Sequence, residues 1–401
     1  REEMKGGRSV HQSLEAGFKR AMGTIIDANV TTFIAAAVLF FLGSGPIQGF
    51  AITLALGILT TVFTAYFVTQ FIVGRWYARR RPKTLRIQLI AVVPDNTSIP
   101  FMKWRKVAMG FSAAAVVASM ALFTLQGLNL GIDFKGGSSV EIQALSGDAD
   151  IADIRARVGE LGLGDVQVQG FGTASEVLIR IEAQEGGDTA QQDAVRKVTN
   201  ALNADYEIRR VEVVGPTVSG ELAVAGAIAV VVAILAVLVY IWFRFEWQFA
   251  IGAVIALIHD VLLTIGLYSL VGFEFNLSSI AAILTIVGYS LNDTVVVYDR
   301  VREYLRKFRK LKVSELIDLS INSMLSRTLL TSVTTAIALL SLVIFGGEVI
   351  RGFTISMTWG VFVGTYSSVF IAAPVLIYLG LKTRDNVIKP KRERRADGAE
   401  V

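Results

Sequence analysis

The sequence predicts an α-helical polytopic membrane protein with eight transmembrane helices and one small α+β, ferredoxin-like extracytoplasmic domain. Three observations carry that prediction. Of 401 residues, 53% are hydrophobic and 18% charged, against about 45–50% and about 25% in a soluble globular domain. The excess is gathered into long runs, each matching the roughly 20 apolar residues that a bilayer-crossing helix needs. Between the third and fourth runs lies a polar stretch, 127–219, in which strand and helix periodicities alternate. The chain has no cysteine and only two histidines, His11 and His259. Disulfides, thiolate metal sites and cysteine nucleophiles are thereby excluded, little is left for a histidine metal site, and no cofactor is expected.

In chain order, residues 1–23 (REEMKGGRSVHQSLEAGFKRAMG) form a polar amino-terminal segment without the pattern of a cleavable signal. The chain starts at Arg1 and not at Met, which reads as the continuation of something longer. Apolar runs follow at 24–42 and 50–74, then a basic linker at 75–104, then a run at 105–126. After the polar stretch come five more runs, at 220–243, 247–270, 277–298, 326–345 and 352–381, and a basic tail at 382–401. The last run is long enough to tilt. Within 127–219 the pattern reads strand 137–145, helix 150–161, strand 165–171, strand 175–183, helix 189–203 and strand 206–214. That β-α-β-β-α-β order is the ferredoxin-like one. It contains no phosphate loop, metal cluster or catalytic triad, so a binding or lever module is expected.

Lys and Arg set the orientation. The segment 75–106 carries nine, 299–325 seven and 382–401 seven, whereas 43–49 and 271–276 have none and 346–351 has one. With eight spans, every basic connection falls on one side, so both termini are expected in the cytoplasm. The stretch 127–219 holds eight Lys/Arg against fifteen Asp/Glu, but long domains cross regardless of charge. The basic runs lack interleaved aromatics and abut helix ends, so no nucleic-acid partner is expected.

The chain also repeats itself. NVTTFIAAAVLFFLGSGPIQGFAITLALGI (29–58) aligns without a gap on SVTTAIALLSLVIFGGEVIRGFTISMTWGV (332–361). Val30, Thr31, Thr32, Gly49, Phe50 and Gly57 match Val333, Thr334, Thr335, Gly352, Phe353 and Gly360. Duplicated membrane units are typical of transporters. In the second unit the pair of helices is preceded by four others and a domain. In the first it is preceded by about 25 polar residues, so the chain is expected to begin just past a missing counterpart of the sixth helix.

Polar residues inside apolar runs are the candidate site. Asp293, in ILTIVGYSLNDTVVVYDRVRE, lies about two turns before Asp299-Arg300, with Ser290 and Asn292 as supporting polar groups. A carboxylate at bilayer depth costs roughly 2.5–3.5 kcal/mol on insertion scales, so a functional role is expected over polar glue. Helical spacing puts Tyr289, Ser290 and Asp293 on one face. Arg327 opens the seventh run, with Thr331 one turn on. Alone it reads as a snorkelling side chain; beside Asp293 it reads as a partner. A carboxylate facing an arginine stays ionised, and separating the two in an apolar site favours protonation, which makes a two-residue proton switch. Asp260, beside His259, sits near the middle of the fifth run, on the ion path or as a hydrogen-bonded structural acid; adjacent helical side chains diverge by about 100° and need not touch. Asp27 reads as a helix cap or polar glue. Two membrane aspartates also raise the possibility of an intramembrane aspartyl protease, against which the "HD" and "GYSLND" contexts and the nearby arginine both argue.

The stretches GLNLGIDFKGGSSVEI (127–142), HDVLLTIGLYSLVGFEFNLSSIAAILTIVGYSLNDTVVVYDRVRE (259–303) and SRTLLTSVTT (326–335) closely resemble the SecF family of the resistance-nodulation-division superfamily. DANVTTFIAAAVLFFLGSGPIQGFAITLALGILTTVFTA (27–65) resembles the last two helices of the SecD family. The resemblance implies a SecD-like 24–74 joined through 75–104 to a SecF-like 105–381. It also implies an accessory role in the Sec translocase of the bacterial inner membrane, driven by transported H⁺ or Na⁺. The implied partners are the translocon channel with its membrane subunits, the remaining SecD-like half, the emerging unfolded preprotein and the bilayer. Asp293, Arg327 and Thr331 match the ion-path aspartate, arginine and threonine of that family. A small-molecule or lipid exporter of the same superfamily is the alternative; it would need a large apolar cleft, which a small acidic module does not offer.

The predicted topology is checked with single cysteines at Ser146 and Ser314. An impermeant thiol reagent added outside is expected to label position 146 and spare 314.

Overall fold

In the computed structural model, residues 2–382 are described apart from 6, 8, 43–45, 83–93, 95, 96 and 309. The predicted tail beyond 382 and much of the 75–104 linker therefore lie outside the described residues. A short helix α1 (Glu2–Lys5) leads into α2 (Val10–Leu42) and α3 (Pro46–Phe63), which continues through a π-helical turn, Thr64–Val68, into α4 (Thr69–Arg80). Then come α5 (Arg105–Gln126), strand β1 (Asn129–Leu130) and α6 (Ile132–Lys135). The domain follows as β2 (Gly137–Ala144), α7 (Ile151–Gly159), β3 (Val166–Phe171), β4 (Thr173–Ile181), α8 (Gly187–Leu202) and β5 (Tyr206–Val214). The remaining elements are α9 (Pro216–Arg244), α10 (Trp247–Val271), β6 (Glu274–Phe275), α11 (Leu277–Lys307), α12 (Val313–Phe345) and α13 (Glu348–Ser367), which passes through a second π turn, Ser368–Ala372, into α14 (Ala373–Tyr378). Eight helical stretches among the described residues are long and apolar enough to cross a membrane.

Several helices outrun their apolar segments. The helix expected from residue 24 starts at Val10, the one expected to end at 298 continues to Lys307, and the one expected from 326 starts at Val313. An apolar run marks only what hydrocarbon requires, and a charged continuation stays helical in water because its backbone bonds are internal.

The domain is a four-stranded antiparallel sheet of order β3-β4-β2-β5, the ferredoxin-like arrangement. Alternation decides its faces. Val140 and Ile142 pair with Ile179 and Val177 in register and point with Ile181 towards α7 and α8. Ile154, Val158, Val198 and Leu202 complete that core at 0% exposure. Asp150 caps α7, accepting from the backbone N–H of Ala152 and of Asp153 at 3.0 Å. One register shift in β5 leaves Arg209 as an extra residue between the pairs Glu141–Arg210 and Ile142–Ile208.

The membrane bundle is built round α11, which is the most buried of the spans. Small residues let its neighbours approach, as lipid-embedded packing requires. A Cβ on Gly364 of α13 would lie 2.9 Å from the Ser290 Cβ, and one on Gly288 would lie 3.0 Å from Thr32 of α2. The internal repeat is visible as geometry. Helices α2 and α12 are both 33 residues long, and the matched Phe50 and Phe353 rings meet edge to face at 5.8 Å. Each unit also carries a π turn in its last span, Thr64–Val68 in one and Ser368–Ala372 in the other.

Two substitutions in α13 test this packing. Gly364→Ala is expected to lower the melting temperature in detergent, because overpacking costs about 1–3 kcal/mol. Gly352→Ala, with nothing within 4 Å of its Cβ position, is expected to leave it unchanged or slightly raised.

Candidate ion-coupling site

Asp293 projects from the middle of α11 and is 6% exposed. Its described hydrogen-bond neighbour is the Thr365 hydroxyl of α13, at 3.4 Å. That hydroxyl lies 2.8 Å from the Val361 carbonyl of its own helix and 2.7 Å from Ser332 of α12. Tyr289, one turn before Asp293, interacts with Ser332 and Thr335. A line of hydroxyls on α12 and α13 therefore flanks the carboxylate, and among the described residues the long Thr365 contact is the hydrogen bond that reaches it.

Arg327 of α12 lies within electrostatic reach of Asp293. With Thr331, Val296, Asp299, Arg300 and Glu303 it lines a cavity of about 540 Å³ at the end of the bundle away from the sheet domain. Val296 is one helical turn from Asp293, so the cavity brings polar volume to within a turn of the carboxylate. Thr331 lines the same cavity while its hydroxyl donates to the Thr328 carbonyl at 2.9 Å. Asn292 is half-buried and makes no side-chain hydrogen bond among the described residues.

Asp260 occupies a separate and far better satisfied site. It is 0% exposed and accepts from Ser290 of α11 at 2.6 Å and Ser367 of α13 at 2.8 Å. His259 Nδ1 is 2.9 Å from its other oxygen, although neighbours on a helix need not meet. The His259 Nε2 is buried and has no partner among the described residues. Ser290 thus turns to Asp260, while Tyr289 and Asp293 turn towards α12 and α13; the expected common face splits in two. The two carboxylates keep separate partners, which is not the shared-proton arrangement of an aspartyl protease.

Asp27 is not a cap, since α2 begins at Val10. It holds Arg244 of α9 through Nε at 2.9 Å and Nη2 at 2.7 Å, and accepts from the Tyr240 hydroxyl at 3.1 Å. The glue reading of Asp27 is the one the geometry supports, with two guanidinium donors converging on its Oδ2 from a helix far away in sequence. Sequence reasoning also missed Ser332, Thr365 and Ser367. The available signal was the hydroxyl-rich GTYSS at 364–368, an unusual cluster in an apolar helix.

Comparisons with known proteins follow the same outline. The chain matches the family described as protein export membrane protein SecD/SecF, C-terminal, over residues 1–79 and 194–382, and the SecD/SecF GG motif over 121–144. It is 48% identical over 385 residues to the protein translocase subunit SecDF of Brucella abortus, covering 96% of this chain and 51% of that one. It is 41% identical over 326 residues to the protein translocase subunit SecF of Rhodobacter capsulatus, covering 78% and 98%. The crystal structure of SecDF, a translocon-associated membrane protein from Thermus thermophilus, superposes with a TM-score of 0.83 at 31% identity, covering 94% of this chain and 51% of that one. The chain spans about half the length of these SecDF relatives.

The Asp27–Arg244 pair is open to a double-mutant cycle in detergent unfolding. With side chains 13% and 33% exposed, Asp27→Asn and Arg244→Met are each expected to destabilise. The coupling energy is expected at about 1–2 kcal/mol, above the value of a fully exposed pair.

Proposed function

Because this chain belongs to the SecD/SecF family of protein-export membrane proteins, we propose that it serves as an accessory membrane subunit of the bacterial Sec translocase. In this reading a flow of H⁺ or Na⁺ through the bundle promotes movement of preproteins across the inner membrane. It works with the translocon channel, a SecD-like half and the preprotein itself. Both termini lie in the cytoplasm, and the sheet domain faces the opposite side, in keeping with the Lys/Arg asymmetry.

One observation carries the proposal. Asp293 sits in the centre of the most buried span with one long hydroxyl contact, one turn from a polar cavity that contains Arg327 and Thr331. A carboxylate held this way changes protonation when a nearby cation moves, since burial penalises the charged form and the guanidinium supports it. Arg327 sets which form is preferred, and Thr331 helps to keep the cavity wet. Asp260, held by His259, Ser290 and Ser367, serves as the fixed acid of the pathway. Because Ser290 and Ser367 lie on the two helices that also carry Asp293 and Thr365, a shift of α11 against α13 disturbs both carboxylates together. One elementary charge crossing the membrane field yields about 2.3 kcal/mol per 100 mV, enough to bias two arrangements that differ by a few kcal/mol.

The test is ion flux and preprotein release in proteoliposomes containing the complete complex with its SecD-like half. Asp293→Asn retains size and hydrogen bonding but cannot titrate, and is expected to abolish gradient-driven release while inserting normally. Asp293→Glu is expected to retain part of it. Arg327→Lys keeps the charge but loses the planar fork, and is expected to be impaired as well. Wild-type flux and release in Asp293→Asn would leave the carboxylate with a structural role alone.

A further inference from the structure

The sheet domain follows α5 and precedes α9, yet its contacts with the bundle include a dense set to the turn between α10 and α11. Strand β1 pairs in parallel with β6, Asn129 beside Glu274 and Leu130 beside Phe275. The Gly131 N–H donates to the Phe275 carbonyl at 2.9 Å, and the Asn129 amide donates to the Gly272 carbonyl at 3.1 Å. Asp133 accepts from the Leu277 N–H at 2.9 Å. Leu277 is the first residue of α11, so a domain carboxylate caps an otherwise unpaired donor at the positive end of that helix. Finally, Glu274 forms an ion pair with Arg180 of β4, the two side chains being 26% and 14% exposed. Gly131 makes the room, since a Cβ there would collide with the Glu274 carboxylate.

Charge and packing agree with the geometry. Burial raises the Glu274 carboxyl above its usual range; Arg180 opposes this, while Asp133 and Glu212 add to it. Burial also raises that of Asp133, against the bond from Leu277. Phe275 packs its ring between Phe134 and Tyr268, at 5.7 and 5.2 Å. Gly131, Asp133 and Phe134 all fall in the segment that matches the GG motif, which gives that short motif a physical task.

We infer that Asp133, Arg180 and Glu274 are positioning residues of a joint that delivers displacement of α11 to the sheet domain. This rests on the proposed role of Asp293. Sixteen residues separate Leu277 from Asp293, about 24 Å of continuous helix at 1.5 Å per residue. A helix of that length moves as a stiff rod, so a tilt or rotation at the carboxylate reaches its capped end. There the domain must follow, because the Leu277 cap and the strand pair hold it to the segment that leads directly into α11, while Asn129 also reaches Gly272 at the end of α10. At the Gly127 connection the Ser269 hydroxyl of α10 donates to the Gly127 carbonyl at 2.8 Å, a single bond beside the several that reach the turn before α11.

The experiment uses the complete complex in proteoliposomes, with spin labels at the exposed Ser146 of the domain and Leu270 of α10 in this cysteine-free chain. Glu274→Arg and Arg180→Glu are each expected to lower gradient-driven preprotein release by about fivefold or more, as truncating or reversing one partner of a part-buried pair does. Ion flux is expected to stay within about twofold of wild type, and the interlabel distance distribution to broaden. The double reversal, R180E with E274R, is expected to narrow the distribution and restore at least half of the release. A double reversal that rescues neither, or single reversals that lower flux and release in parallel, would overturn the joint. If Asp293→Asn leaves release intact, the coupling reading fails instead, and the distance distributions still decide whether the contact holds.

Discussion

A carboxylate that crosses into the bilayer cannot be solvated by hydrocarbon, and the arrangement round α11 follows from how that is managed. Asp260 is managed by close pairing: two serine hydroxyls at 2.6 and 2.8 Å and the His259 ring at 2.9 Å surround it. Asp293 has one long hydroxyl contact among the described residues and a cavity a turn away. Buried polar groups are costly unless paired, so this inequality between two acids on neighbouring helices is informative. Asp260 ties α10, α11 and α13 together through its serine partners, and Asp293 faces the Thr365 hydroxyl of α13. Close approach of α13 through Gly364 is what lets Ser290 and Ser367 reach the same carboxylate.

Duplication supplies the scaffold without duplicating the site. At the common offset, Arg327, Ser332 and Thr365 correspond to Thr24, Asn29 and Val62. Asn29 returns its amide to the Ile25 carbonyl of its own helix at 2.8 Å, where Ser332 reaches across to Thr365. The first unit therefore packs against α11 through Thr32 and Gly288, and the hydroxyl described at Asp293 comes from the second. The π turn in the second unit is integrated more deeply: Ser368 meets Thr294 at 2.8 Å, and the Tyr298 hydroxyl donates to the Ala372 carbonyl at 3.1 Å. A π turn disturbs the regular ladder of backbone bonds, and α11 provides a donor for one of the carbonyls there.

The sheet domain and the polar cavity lie at opposite ends of one helix. The capped end of α11 meets Asp133, its centre carries Asp293, and its far end borders the polar cavity with Asp299 and Glu303. A rigid element that touches all three regions links them directly. Coupling carried by such an element needs two discrete arrangements of its contacts, and both the hydroxyl line and the domain joint consist of contacts that break singly.

Hydropathy and alternation alone determined the number of spanning helices, the ferredoxin-like order of the domain and the candidacy of Asp293, because each is a local property of composition and period. The gapless repeat was equally legible, and the geometry added only that Phe50 and Phe353 touch. Tertiary structure alone decided the partners. Nothing local to Asp27 points to Arg244, more than two hundred residues on. Nothing local to Ser290 says that it turns to Asp260, since a 60° difference in helical phase separates its neighbours from those of Asp293. The helical extensions beyond 24, 298 and 326 were hidden because water tolerates both helix and coil, so composition there is silent. The two-residue strands β1 and β6 are too short to show a period, and they form because the domain and the turn before α11 bring their backbones together.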